Sequence, residues 1–226
     1  MSISRVRAFV ALAFAVAVIA ATAAVTSPAQ AYSSPAIWVG SPVDGTWGTY
    51  PYADTTPSGG HHTVFKASPR NDWSVDLPTG SGQAVVLYVA PSNSAYNNQV
   101  TTKVTQIIDN DACRYGGGGD LVTVGVYYNN TLYGHTSYTH LKRDPSLYVG
   151  KTVSRWGTTL GTVAHLSGAA TGGSNCWTGP HVHMELRAQT QYACWNRTYT
   201  NFASLWRTNF VGFVSGPLTS AAVACP

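Results

Sequence analysis

His181 and His183 stand two residues apart in the segment Gly179-Pro180-His181-Val182-His183. In an extended strand, positions i and i+2 point to one face, so both imidazoles reach into one space. One of them can hold a metal ion while the other touches what the metal binds, and imidazole is the commonest protein ligand for zinc. A hydrolytic zinc site needs three protein ligands and an open position for water. Beyond His183, the chain offers Gly59-Gly60-His61-His62 and Trp73-Ser74-Val75-Asp76. Paired glycines let backbone approach closely and let the following imidazoles project. Asp76 lies between Val75 and Leu77, where a lone carboxylate costs free energy unless it is paired or bound to a metal. Two neutral imidazoles and one carboxylate around Zn2+ leave a net positive charge, which lowers the pKa of bound water to about 7.

Hydrolysis also needs a proton acceptor and a group that steadies the developing oxyanion. Glu185 is the single glutamate of the chain, and no His-Glu-x-x-His element exists, so a helix-borne glutamate base is excluded. Histidine is the substitute. His181 shares the strand face of His183, and His140 closes the alternating run Tyr138-Thr139-His140-Leu141, which places it on the face of Tyr138. His135 and His165 read as surface or hydrogen-bonded residues. Glu185 also falls on the face of His183 and is expected to partner Arg187 or to support the metal ligand.

The elements that must carry these residues are strands. Short Val-, Thr- and Tyr-rich runs broken by Gly, Asn and Pro predict strands over Trp73–Leu77, Ala84–Ala90, Val100–Ile108, Leu121–Tyr128, Leu132–His140, Thr152–Ser154, Thr159–Val163 and His181–Leu186. Tyr128-Asn129-Asn130-Thr131 predicts a hairpin turn, because Asn tolerates positive φ. Gly116 to Gly119 predicts a loop or bulge. A short helix is expected near Ala203–Thr208. The class is mainly β and antiparallel, with long loops and little helix. Residues 32–58 read as an extended entry segment, and the aromatic tail 189–226 as packed on a catalytic domain spanning 59–188.

Arg5 and Arg7, an apolar run from Ala8 to Val25, and Ala29-Gln30-Ala31 predict a secretory signal peptide over residues 1–31. Cleavage after Ala31 leaves 195 residues and lowers the formal charge from +4 to +2. That weak excess argues against nucleic acid as a partner, and no later stretch is apolar enough to span a bilayer. Cys113, Cys176, Cys194 and Cys225 form an even set in a chain read as secreted, which implies two disulfides with three possible pairings.

From about Gly59 to Arg187 the chain resembles the lysostaphin-like zinc endopeptidases, most closely their beta-lytic branch of secreted bacterial cell-wall lysins. The resemblance rests on Tyr138-Thr139-His140-Leu141, Val149-Gly150-Lys151-Thr152-Val153, Leu160-Gly161 and Thr178-Gly179-Pro180-His181-Val182-His183-Met184-Glu185, in that order. It implies zinc ligation by His62, Asp76 and His183, with one Zn2+ per chain, and a catalytic pair of His140 and His181. His61 and Asp72 are the neighbouring rivals for the first two ligands. Fourteen positions separate His62 from Asp76, where the common form of the family has four. The resemblance further implies an antiparallel sheet crossed by an open active-site groove, with the Gly116–Gly119 and Ser167–Asn175 loops as walls. It also implies the pairings Cys113–Cys176 and Cys194–Cys225, and cleavage of peptidoglycan cross-links or other glycine-rich peptides by an extracellular monomer. Two other functions stay open: a non-catalytic wall-binding or regulatory module on the same scaffold, and a glycosidase acting on the sugar strands.

Overall fold

Branched and aromatic side chains pack well on a pleated surface, and the described chain is built almost wholly from such surfaces. The computed structural model describes residues 35–43, 53–54, 64–65, 72–109, 119–164, 179–189, 192–195, 209–214 and 223–224. Among them are thirteen strands: β1 (Ile37–Gly40), β2 (Ala53–Asp54), β3 (Asp72–Pro78), β4 (Ala84–Pro91), β5 (Val100–Ile108), β6 (Asp120–Tyr128), β7 (Thr131–Arg143), β8 (Thr152–Val153), β9 (Trp156–Val163), β10 (His181–Ala188), β11 (Tyr192–Trp195), β12 (Asn209–Val214) and β13 (Val223–Ala224). A 3-10 turn, Ser94–Gln99, is capped by the Asn93 side chain, which accepts from the Ala95 amide at 2.9 Å. Among the described residues no helix is long and apolar enough to cross a membrane.

The fold is mainly β and antiparallel, as expected. The eight predicted strands are β3 to β10, with ends shifted by up to three residues. Asn129 and Asn130 take φ of 47° and 63° and turn the β6–β7 hairpin. The strands that the sequence reading missed are β1 and β2 in the entry segment and β11 to β13 in the aromatic tail. β2 and β13 have two residues each, too few for a period-2 signal, and β1, Ile-Trp-Val-Gly, is apolar with no alternation. β1 is nonetheless fully buried, between β4 and β12. From the tail, Phe213 of β12 is buried against β7, where a Cβ on Gly134 would collide with its ring and with the Arg187 carbonyl.

Main-chain pairing runs β13-β11-β12-β1-β4-β9-β7-β10-β3-β2, with β6 on the other edge of β7 and β5 beyond it. On one edge, β7 carries β10 along residues 134–139 and then β9 along residues 141–143. The sheet therefore forks at His140. Register sorts the side chains across β3, β10 and β7. Val75, Leu77, Val182, Met184, Leu186 and Tyr138 fall on the core side with Val122 and Val124 of β6. Each such side chain contributes about 1.5–3 kcal/mol by its burial. Ser74, Asp76, His181, His183, Glu185, Ser137 and Thr139 fall on the opposite side, which is the polar face of the sheet.

The expected signal peptide, His61, His62, Gly116–Gly118, His165, the Ser167–Asn175 loop, the Ala203–Thr208 helix, and Cys113, Cys176 and Cys225 lie outside the described residues.

Candidate functional site

Antiparallel register puts Asp76 of β3 directly across from His183 of β10. Cβ atoms facing each other this way are neighbours on one face, and His183 Nδ1 lies 2.8 Å from Asp76 Oδ1. Asp72, the rival ligand, stands opposite Arg187 in backbone register, about 13 Å further along the strand at ~3.3 Å per residue. The other ring nitrogen of His183, Nε2, lies 2.7 Å from Glu185 Oε1. Both His183 and Glu185 are buried, at 2% and 0% exposure. Burial opposes charge on His183, but the hydrogen bonds to Asp76 and Glu185 outweigh it and raise its pKa to about 9. A metal ion at Nδ1 would compete with that proton, as metal binding to histidine generally does.

His181 lies one pleat further along β10. Its Nδ1 is 2.7 Å from the Gly179 carbonyl. A carbonyl only accepts, so Nδ1 carries a proton, which in the neutral ring leaves Nε2 as the acceptor nitrogen. Nε2 is 3.6 Å from Asp76 Oδ1, and His181 and Asp76 are the more open members of the group, at 14% and 25% side-chain exposure.

His140 requires a correction. Plain alternation places it on the face of Tyr138, but Tyr138 lies in the core, where burial pushes its phenol pKa upward. His140 instead has φ of +64°. The β6–β7 register jumps between Asp120↔Leu141 and Val122↔Tyr138, so Thr139 and His140 together oppose Leu121. This is a β-bulge, which re-aims a side chain. The ring of His140 consequently sits 4.5 Å from that of His181, edge to face, and 6.2 Å from that of His183. A non-glycine residue in the left-handed region costs about 1–2 kcal/mol, so the surroundings must hold it there. The Ala164 amide donates to the His140 carbonyl at 2.8 Å. Gly119, itself at φ +76°, packs its Cα against the His140 backbone, where no Cβ fits.

Glu185, expected to partner Arg187 or to support the metal ligand, lies against His183. Its described hydrogen bonds run to His183 and to the Val64 and Phe65 amides, which donate to Oε1 and Oε2 at 2.8 Å each, rather than to Arg187. The sequence signal was present, since Glu185 is i+2 from His183. Its backbone partners lie about 120 residues away in the chain, beyond any local pattern.

Four of the five residues singled out by sequence, Asp76, His140, His181 and His183, are thus brought together on one polar face. His62 lies outside the described residues. Among the described residues no three His, Cys, Asp or Glu side chains form a complete metal-binding set. Asp76 and His183 nonetheless suit a divalent ion in donor chemistry. An imidazole nitrogen and a carboxylate oxygen are both donors that zinc accepts, and the pair would hold such an ion between Nδ1 and Oδ1.

No family model matches the chain, and no curated protein matches it. Among solved structures, the chain is similar to a provisionally named peptidase M23 from Pseudomonas aeruginosa, with 20% identity and a TM-score of 0.38 over 70% of this chain and 47% of that one. It is also similar to a zinc-containing peptidase from Vibrio cholerae, with 20% identity and a TM-score of 0.33 over 59% of this chain and 31% of that one. The chain spans less than half the length of either protein. Both scores are too low for the likeness to bear on what this chain does.

Proposed function

We propose that the protein is a secreted zinc metalloendopeptidase that hydrolyses peptide bonds of bacterial peptidoglycan. The observation that supports this best is the Asp76–His183 pair at 2.8 Å with the rings of His181 and His140 beside it. His62, Asp76 and His183 would hold the ion, which when bound supplies Lewis acidity and an activated water.

The remaining chemistry belongs to the two other histidines. His181, with Nδ1–H held by the Gly179 carbonyl, presents Nε2 to take a proton from the attacking water and return it to the leaving amine. His140, turned onto the same face by its bulge, donates an N–H to the tetrahedral oxyanion. A small-residue peptide suits a site built on a sheet face, because glycine lets its backbone approach the reacting groups closely. The low formal charge after loss of residues 1–31 gives no footprint for nucleic acid. We take the mature protein to be an extracellular monomer.

A glycosidase needs two carboxylates that both reach the scissile bond. Glu185 is fully buried, which disfavours pairing it with Asp76 for that purpose. The test is mass spectrometry of purified peptidoglycan after digestion, with and without chelator. New peptide termini that vanish with chelation are expected. Intact peptides, or new reducing sugar ends that persist in chelator, would overturn the proposal.

A further inference from the structure

Glu185 is a fully buried carboxylate on a functional face, and its environment is specific. An isolated buried carboxylate is strongly disfavoured unless it is hydrogen-bonded. Glu185 accepts from two consecutive backbone amides, Val64 and Phe65, one on each oxygen, and Oε1 also meets His183 Nε2. In register it is flanked by Ser137 of β7 and Ser74 of β3, both buried. Ser137 in turn hydrogen-bonds Thr123 of β6 at 2.9 Å. The carboxylate therefore sits in a buried polar row across four strands. It touches two things at once: the back of a metal-ligand candidate, and the backbone just after Gly59-Gly60-His61-His62.

We propose that Glu185 is a positioning residue that fixes the ring of His183 and ties the backbone of Val64 and Phe65 to β10. By accepting from Nε2 of His183 it commits Nδ1, on the Asp76 side, to the metal. By accepting from Val64 and Phe65 it fastens their backbone to the strand that carries His183. Carboxylates behind metal-bound histidines fix ring orientation in this way, and their loss typically weakens metal affinity 10- to 100-fold. Here one carboxylate would do this and hold a second stretch of backbone as well. The inference rests on the zinc reading above.

The experiment compares wild type with Glu185→Gln, which keeps shape but cannot accept from both amides and from the ring together. Zinc affinity is read by competition with a chromophoric chelator, and protection of the Val64 and Phe65 amides by hydrogen exchange. A 10- to 100-fold weaker affinity with faster exchange at both amides is expected. Unchanged affinity and unchanged protection would overturn the inference. A wild-type chain that takes up no zinc would instead overturn the metal reading itself. Should the variant not fold, wild type loaded with cadmium-113 gives the answer by NMR: coupling of the metal to His183 Nδ1 is expected, and coupling to Nε2 refutes the assignment.

Discussion

Replacing Gly119 by alanine tests how the bulge at His140 is held. Gly119 has φ of +76°, and a Cβ there would meet His140 Cα at 2.8 Å and both His140 C and Leu141 N at 3.0 Å. These are backbone atoms and cannot rotate away. Gly82 is the natural control, with φ of +79° and nothing within 4 Å of its Cβ. Both substitutions carry the left-handed penalty of about 1–2 kcal/mol. Only Gly119→Ala adds a collision in a packed region, comparable to overpacking at about 1–3 kcal/mol. Expected losses are thus about 1–2 kcal/mol for Gly82→Ala and about 2–5 kcal/mol for Gly119→Ala, measured by urea unfolding at a shared slope. The displaced backbone carries the His140 ring, so turnover of Gly119→Ala should fall by about 10²-fold, the size of effect expected for a 1 Å misplacement. Its zinc affinity should stay near wild type, because Asp76 and His183 lie on other strands. Equal stability losses for the two variants, or full turnover in Gly119→Ala, would refute this account of the bulge.

His183→Ala should abolish stoichiometric zinc uptake, read by elemental analysis of the purified chain. His140→Asn keeps a residue that tolerates positive φ, so it should unfold within about 1 kcal/mol of wild type and keep its zinc; its turnover should drop 10²- to 10⁴-fold, as loss of a proton-handling or oxyanion-stabilising group does. Gly134→Ala should lose about 1–3 kcal/mol, since the new methyl meets the buried Phe213 ring and the Arg187 carbonyl; a wild-type unfolding midpoint would show that β12 does not pack there as described. Burial and the nearby Arg187 charge hold the His135 pKa below its ordinary value. Its neutral form is therefore favoured in the folded state, and stability present above about pH 6.5 is lost as pH falls below it. Comparing acid unfolding of wild type and His135→Gln checks this, with a shallower decline expected in the variant.

Sequence alone went far toward the candidate site because strand alternation is a local property. His181 and His183 had to share a face once their segment was extended, and Asp76 in an apolar run demanded a partner. The same reasoning delivered β3 to β10 and the Asn129-Asn130 turn. It stopped where the outcome depends on a second strand. Nothing near Asp76 says that register aligns it with His183, 107 positions away. A bulge depends on the number of residues in the facing strand, so the turning of His140 away from Tyr138 had no signature in Tyr138-Thr139-His140-Leu141. Strands as brief as β1 carry no period of their own and become strands only through their partners. Glu185 was legible as a neighbour of His183, but its hold on Val64 and Phe65 exists only in three dimensions, where two distant segments meet over one buried carboxylate.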